Sequence, residues 1–310
     1  MNQLRTFAGE IVDCDLELPE LSVAPAGAEV TIRIRTRRGE IPRPTAIEDG
    51  ERFDADGGFT FRVPPIATIR LVPGWRDVEV FREPDAADGA VRHAILDHVL
   101  PRRLALVGRV TLHGTCVSID GRALAFVAES HQGKSTLSAA LAQRGGHWLA
   151  DDCLVVDHLV TDDATLAVAI PTFTGTRLWP DSSLALGLPE GQGEIIDERI
   201  TKQRWSGSAG VVACDAVPLA GIMLVQRGEA HIDPALERLS GGAALKVLGA
   251  HWFLAYSVPP IDFLHKAAKL LASVPVYRLS VPGSLDRLDE VVDMLIAHFV
   301  SPVVTTAGRG

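Results

Sequence analysis

Thr115-Cys116-Val117-Ser118-Ile119-Asp120-Gly121-Arg122-Ala123-Leu124-Ala125-Phe126-Val127 runs directly into Ala128-Glu129-Ser130-His131-Gln132-Gly133-Lys134-Ser135. The first part reads as two strands, Thr115 to Ile119 and Ala123 to Val127. They are joined by an Asp-Gly pair, the strongest short hairpin signal because both turn positions need φ > 0. The second part reads as a glycine-bearing loop opening a helix over Lys134 to Arg144, which Gly145-Gly146 then ends. In the common parallel-sheet nucleoside triphosphatases the strand before such a loop is reached by a crossover. Here it is reached by a two-residue turn, so its neighbour is antiparallel and the sheet is expected to be mixed.

The loop nearly fits GxxxxGK[ST]. The chemistry of that pattern is a nest of backbone N–H groups around phosphate oxygens at a helix N-terminus. A lysine reaches the terminal phosphates and a hydroxyl reaches Mg²⁺. Ser130, His131, Gln132, Gly133, Lys134, Ser135 and Thr136 are the nucleotide-binding candidates. Ala128 stands where the pattern has its first glycine, and His131 occupies a position that is often glycine. Histidine tolerates positive φ better than most side chains.

Working outward, Trp148-Leu149-Ala150 reads as the next strand, and Asp151-Asp152 closes it. Adjacent carboxylates repel, so a pair at a strand end makes sense where a cation compensates one of them. The other could then accept the proton of an attacking hydroxyl. The bland alternative is a solvated turn. Cys153 to Val156 continues this strand or forms its neighbour. His113, just before the hairpin, would alone be an ordinary structural histidine. The other nine histidines form no HExxH or similar metal spacing.

The first ~90 residues look different. Thr31 to Arg35, Phe59 to Val63, Thr68 to Leu71 and Val78 to Phe81 alternate with period two, and Pro, Gly and Asp turn-formers lie between them. They predict an N-terminal antiparallel β domain over 1–90. Its outward Arg33, Arg35, Arg37 and Arg38 suit either an acidic partner or a solvated face. A second domain carrying the phosphate loop is expected over 91–300, with a tail at 301–310. Helices are expected at Val91 to Leu100, disturbed by Pro101, and at Leu104 to Val107. Others are expected at Ala243 to Ala250, Ile261 to Ala272, and Leu285 to Phe299 with Ser284 as N-cap. Further strands are expected at Leu166 to Ile170, Val211-Val212, Ile222 to Val225 and Val276 to Leu279.

Composition narrows the classes. The 310 residues carry a net charge of −9, which argues against a general nucleic-acid binder. At 47% hydrophobic and 22% charged residues the chain can build a core and is not biased toward disorder. No apolar run approaches the ~18 to 20 residues of a membrane span. Met1 to Asp15 is interrupted by Arg5, Glu10, Asp13 and Asp15 and does not read as a signal peptide. Cys14, Cys116, Cys153 and Cys214 form no CxxC pair and suit reduced thiols in a cytoplasmic protein.

The segment His113-Gly114, Ala128 to Ser135, Arg144-Gly145 and Ala150-Asp151-Asp152 resembles the catalytic core of the HPr kinase/phosphorylase family. There a histidine precedes the phosphate loop and Ala-Asp-Asp follows the loop helix. His113 lies 21 residues before Lys134, and Asp151 lies 17 after it. The resemblance implies an α/β (α+β) P-loop core with a mixed sheet, related to phosphoenolpyruvate carboxykinase. It also implies ATP, Mg²⁺ and phosphoryl transfer to a serine hydroxyl. By the same resemblance Lys134 holds the β/γ-phosphates, Ser135 ligates Mg²⁺, Asp151 is the general base, Asp152 is the metal-side carboxylate, and His113 assists. The division of work between the two aspartates stays open.

The chain departs from that family after the core. The EIRGLG type of signature is absent, and Thr176-Arg177-Leu178-Trp179-Pro180 and Lys202-Gln203-Arg204-Trp205 stand in its place. In this the chain resembles HPr-kinase-like proteins encoded beside ribosomal peptide natural-product genes. Among them are kinases that phosphorylate a lasso-peptide precursor on its C-terminal serine, and related kinases include hexamers. A peptide or small-protein substrate is therefore expected, and a homo-oligomer is compatible with the resemblance. Arg177, Lys202 and Arg204 are candidate cations beside the phosphoryl group; a surface charge or a salt bridge is the alternative for each. Trp179 reads as a core or hinge residue. A non-catalytic nucleotide-binding module, suggested by Ala128 and His131, and a phosphorylase are the competing functions.

Overall fold

The computed structural model describes residues 3–38, 50–161, 165–172, 175–189, 193–197, 200–205, 215–257 and 259–300. The strand expected at Val211-Val212, Cys214 and the tail at 301–310 lie outside the described residues.

The alternating segments of the first ~90 residues build one eight-stranded sheet. Its order is Ser22–Val23, Arg5–Phe7, Glu10–Cys14, Ile32–Arg37, Asp77–Arg82, Ala67–Leu71, Phe59–Val63, Glu51–Phe53. Period-two faces appear as expected: Ile32 and Ile34 are buried, while Arg33 and Arg35 face outward. The antiparallel expectation is corrected. Ile32–Arg37 runs parallel to both Glu10–Cys14 and Asp77–Arg82. Alternation reports which face is buried and says nothing about the direction of a neighbour. The outward arginines meet acids of their own sheet: Arg35 lies 2.6 Å from Asp13, Arg33 3.2 Å from Asp77 and Arg37 3.7 Å from Glu79.

A single helical run covers this sheet instead of the two helices expected. It comprises Asp88–Ala94, a wider π-type stretch Ile95–Val99, and Leu100–Leu106. Pro101 falls at the start of the last segment, directly after the wide turn, and the helix continues through it. A π turn changes which carbonyl faces each following N–H, so a missing donor there interrupts less. Val91, Ala94, Ile95, Val99, Leu100 and Leu104 share one core with the sheet, and Cys153 and Val155 enter the same cluster.

The second sheet is mixed, as the hairpin predicts. Its order is His147–Ala150, Thr115–Ile119, Arg122–Val127, Val217–Arg227, Thr165–Ile170, Leu154–Val160, Val110–Leu112. Val276–Val281 also pairs with Val217–Arg227 and carries Ala235–Arg238 on its other side. Asp120 and Gly121 form the hairpin turn with φ of 45° and 73°, and Ile119 pairs with Arg122. Arg122–Val127 is antiparallel to Thr115–Ile119 and parallel to Val217–Arg227.

The Arg122–Val127 strand is buried on both faces, as its near-continuous apolar run requires. Ala123, Ala125 and Val127 meet a core that includes Val247, Leu248 and Leu270, from helices Gly241–His251 and Pro260–Ser273. Leu124 and Phe126 meet the opposite layer with Leu137, Leu141, Val291 and Leu295, from Lys134–Gln143 and Leu288–Phe299. That places the loop helix against the sheet with its N-terminus at the strand's C-terminal end. The last helix begins three residues later than expected, because Leu285–Arg287 forms a 3-10 turn; the Ser284 hydroxyl bonds Asp286 and does not cap the helix backbone.

A small third sheet, Thr176–Leu178, Ile200–Trp205 and Glu194–Asp197, stands beside the loop helix. Among the described residues no helix is long and apolar enough to cross a membrane.

Candidate active site

Residues 128–133 turn between the buried strand and the loop helix. The curl depends on two left-handed positions, His131 at φ 65° and Gly133 at φ 94°. The His131 imidazole stacks on the Trp179 indole, with centroids 5.1 Å apart and planes 24° apart. Gln132 Oε1 accepts the Arg227 N–H at 2.8 Å, tying the loop to the end of a central strand. Lys134 folds back, and its Nζ donates to the Ala128 carbonyl at 2.8 Å. Burial pushes its ammonium below the ordinary lysine range, and the charge of Asp152 opposes that shift. The Thr136 hydroxyl donates to Ser182 Oγ at 3.0 Å.

The twin acids lie just past His147–Ala150. Asp152 has a φ of 61°, a conformation costly for most side chains and better tolerated by Asp. In an extended strand, successive side chains diverge to opposite faces. The left-handed turn at Asp152 brings both carboxylates to one guanidinium, that of Arg177. The Arg177 backbone N–H donates to Asp151 Oδ2 at 2.9 Å, and its side chain pairs with Asp152 and with Asp97. His93 Nδ1 lies 2.9 Å from Asp97.

One buried cation, 3% exposed, thus serves three carboxylates. Burial alone would lower its pKa; the three acids raise it above the ordinary value. Burial would likewise raise the Asp97 carboxyl, but Arg177 and His93 hold it well below the usual range.

The two aspartates differ sharply. Asp151 is 1% exposed, and its Oδ1 accepts the Ser135 hydroxyl at 3.2 Å. Burial first, then the charge of Asp152, push its pKa up to about 6 against the pull of Arg177. Asp152 faces the cleft, with its Oδ1 3.9 Å from His113 Nε2. Burial pushes His113 below the ordinary imidazole range, opposed by Asp152, which favours the neutral ring near pH 7.

A cleft of about 740 Å³ gathers these groups. His113, residues 130–136, Asp152, Arg177 and Lys202 all line it. Val225, Val281, Pro282, Leu288 and Val291 add apolar lining, beside Arg227 and Ser284. Lys202 Nζ lies 5.6 Å from the Trp179 ring centroid.

Not every expected residue arrives at this site. Arg204 is buried elsewhere and pairs with Glu20 at 2.6 Å and Glu194 at 3.4 Å. It does not border the cleft, so its expectation as a phosphate contact is corrected: its charge is taken by the buried Glu20 and the exposed Glu194. Arg177 lines the cleft, but its guanidinium is engaged by three acids and acts as their counterion. Trp179, read as core or hinge, is a half-buried cleft wall. Asp97 and His93 were not singled out in the sequence. Their i, i+4 spacing on a helix is the only signal they carry, and many solvated pairs share it.

Among the described residues no group of three or more His, Cys, Asp or Glu side chains could hold a metal ion unaided. The hydroxyl of Ser135 and the carboxylates of Asp151 and Asp152 are hard oxygen donors. Such donors suit Mg²⁺, which usually takes one or two protein ligands together with substrate phosphates.

No family model matches the chain, and no curated protein matches it. Among solved structures the chain aligns with the Hpr(Ser) kinase/phosphatase from Coxiella burnetii. The alignment covers 61% of this chain and 96% of that one at 14% identity, with a TM-score of 0.28. A superposition that loose carries no argument about fold or activity.

Proposed function

We propose that the protein is an ATP- and Mg²⁺-dependent kinase that transfers a phosphoryl group to a serine hydroxyl of a peptide or small protein. The observation that carries this reading is the convergence of His113, the Gly133-Lys134-Ser135 loop and Asp152 on one cleft. These come from stretches about 20 residues apart in a chain whose sequence already resembles HPr kinases. The triphosphate would lie along the loop, where N–H groups at a helix N-terminus favour anions. Lys134, released from the Ala128 carbonyl, would meet the terminal phosphates. The apolar part of the cleft lining suits the flat base.

The geometry favours exchanging the two aspartates' expected roles. Asp151 is closed off and bonded to Ser135, the arrangement of a carboxylate that orients a metal-binding hydroxyl. Mg²⁺, held by the Ser135 hydroxyl that Asp151 orients and by phosphate oxygens, would neutralise charge on the phosphates. Asp152 faces the cleft beside His113 and would take the acceptor proton.

In the transfer the serine O–H proton passes to Asp152, and the serine oxygen forms a bond to the γ-phosphorus. The bond from that phosphorus to the β–γ bridging oxygen breaks, and ADP leaves. Neutral His113 donates a hydrogen bond toward the transferring group without adding charge. Arg177 gives the two adjacent carboxylates a shared counterion. The particular substrate we propose is the C-terminal serine of a lasso-peptide precursor, on the sequence resemblance alone.

Calorimetry with ATP and Mg²⁺ tests the nucleotide half of the proposal. Binding is expected in the micromolar range and is weakened by roughly 10- to 100-fold in Lys134→Ala, the loss of one or two charged contacts. Absence of ATP binding by the wild-type chain overturns the reading. The competing module without catalysis predicts binding of ATP with no transfer to any acceptor.

A further inference from the structure

Behind Asp152, on the side away from the loop, lies a second cleft of about 350 Å³. It shares His113, Asp152, Arg177 and Lys202 with the larger cleft and contains none of residues 130–136. The two spaces therefore meet at the residues proposed to handle the acceptor proton. The remaining walls come from the helical run that covers the first sheet, through His93, Asp97, His98 and Arg102, and from Phe253.

We infer that this second cleft is the acceptor site, and that it takes a serine carried on a short extended peptide segment. The inference rests on the kinase reading above and adds where the acceptor binds and what form it has.

The walls argue for the form. Arg102 is held rigid: it pairs with Glu51 at 2.6 Å, and its guanidinium lies 4.7 Å from the Phe61 ring centroid and 5.8 Å from that of Phe253. Asp97 is held by Arg177 and His93. The ionised groups of this wall are thus already matched. What they leave is neutral imidazole at His98 and a fixed aromatic ring at Phe253, which stands edge-on to His113 with centroids 6.0 Å apart. Burial keeps the His98 ring unprotonated near pH 7. The wall from the helical run thus offers neutral hydrogen-bonding groups beside an aromatic ring, which suits peptide backbone and a hydroxyl; Asp152 and Lys202 stand on the side shared with the larger cleft. The cleft holds about half the volume of the nucleotide-side cleft, which limits the entrant to a few residues of chain.

The test uses the full chain, ATP and Mg²⁺, and libraries of short peptides that each carry one serine in a degenerate background, read by mass spectrometry. Wild type is expected to phosphorylate library members. His98→Trp, which fills the cleft without touching the loop, is expected to lower kcat/KM for the best peptide by roughly thirtyfold. The ATP dissociation constant should change by less than about threefold.

The same peptide, added to wild type with a non-hydrolysable ATP analogue, is expected to slow amide exchange in 93–102 and around Phe253. That measurement carries the test if His98→Trp fails to fold. Undiminished peptide transfer by a folded His98→Trp, or no protection of 93–102, overturns the acceptor site and leaves the kinase reading standing. ATP binding without phosphorylation of any library overturns the peptide acceptor. No ATP binding at all is the separate failure of the kinase reading.

Discussion

Arg177 and Arg204 sit directly opposite one another on the antiparallel strands Thr176–Leu178 and Ile200–Trp205. Both are buried, at 3% and 5% exposure. Two like charges facing across a ladder destabilise it unless each has its own acids, and here each does. Arg177 gathers Asp97, Asp151 and Asp152 at the cleft. Arg204 takes Glu20 and Glu194, which Arg92 also approaches at 3.4 Å each. One arginine holds three acids together at the cleft. Its neighbour fastens the third sheet to the first sheet's side of the molecule. The residue type, the burial and even the strand register are alike; the carboxylates they meet decide the difference.

Arg177→Ala is the sharpest way to separate the two. It leaves three carboxylates around an empty centre, so the cost should reach or exceed the ~3–5 kcal/mol typical of a broken buried pair. Phosphoryl transfer per folded molecule should fall by at least ~1,000-fold, through loss of an organised charge site. Denaturant unfolding and a transfer assay read the two effects separately. Arg204→Ala should cost a comparable ~3–5 kcal/mol for the Glu20 pair, with transfer per folded molecule close to wild type. A large catalytic loss in folded Arg204→Ala would merge the two networks and break the comparison.

Smaller effects sharpen the picture. Trp179→Leu removes the surface on which His131 stacks, an interaction worth about 0.5–1.5 kcal/mol. ATP affinity should weaken by up to roughly tenfold with little change in unfolding midpoint, as titration with a fluorescent ATP analogue would report.

The mildest prediction concerns acid stability. His98 has its folded pKa pushed down to about 4 by burial, from an unfolded value of 6.5. The unfolded chain therefore binds more protons between those values. The stability held above pH 6.5 is lost as pH falls through the window to about 4. His98→Gln should flatten that part of the stability–pH curve; an unchanged slope would show that the ring titrates normally.

The loop and its surroundings were legible because local chemistry dictates them. Asp120-Gly121 requires a tight hairpin, Gly133 supplies a left-handed turn, and the Ala150-Asp151-Asp152 spacing marks the next strand end. The mixed order of the second sheet follows from that hairpin. Strand directions in the first sheet were not legible, since Ile32 and Ile34 would be buried beside a parallel or an antiparallel neighbour alike.

The site was half legible for a similar reason. Asp151 and Asp152 announce themselves as a pair, but their separate environments depend on the φ of one residue and on Arg177 arriving from 25 positions later. Asp97 arrives from the helical run 80 residues before Arg177. Nothing in the local sequence of either segment signals the meeting.

The central claim is that Asp152, not Asp151, takes the acceptor proton, beside a loop that holds ATP. Asp152→Asn and Asp151→Asn should be compared with wild type for two quantities: the Mg²⁺-dependent affinity for ATP, and the gain of one phosphoryl group (~80 Da) on a serine peptide. The account predicts that Asp152→Asn binds MgATP within about threefold of wild type while transfer falls at least ~1,000-fold. Asp151→Asn should weaken the Mg²⁺-dependent part of binding. Transfer by Asp152→Asn at the wild-type rate would contradict the account.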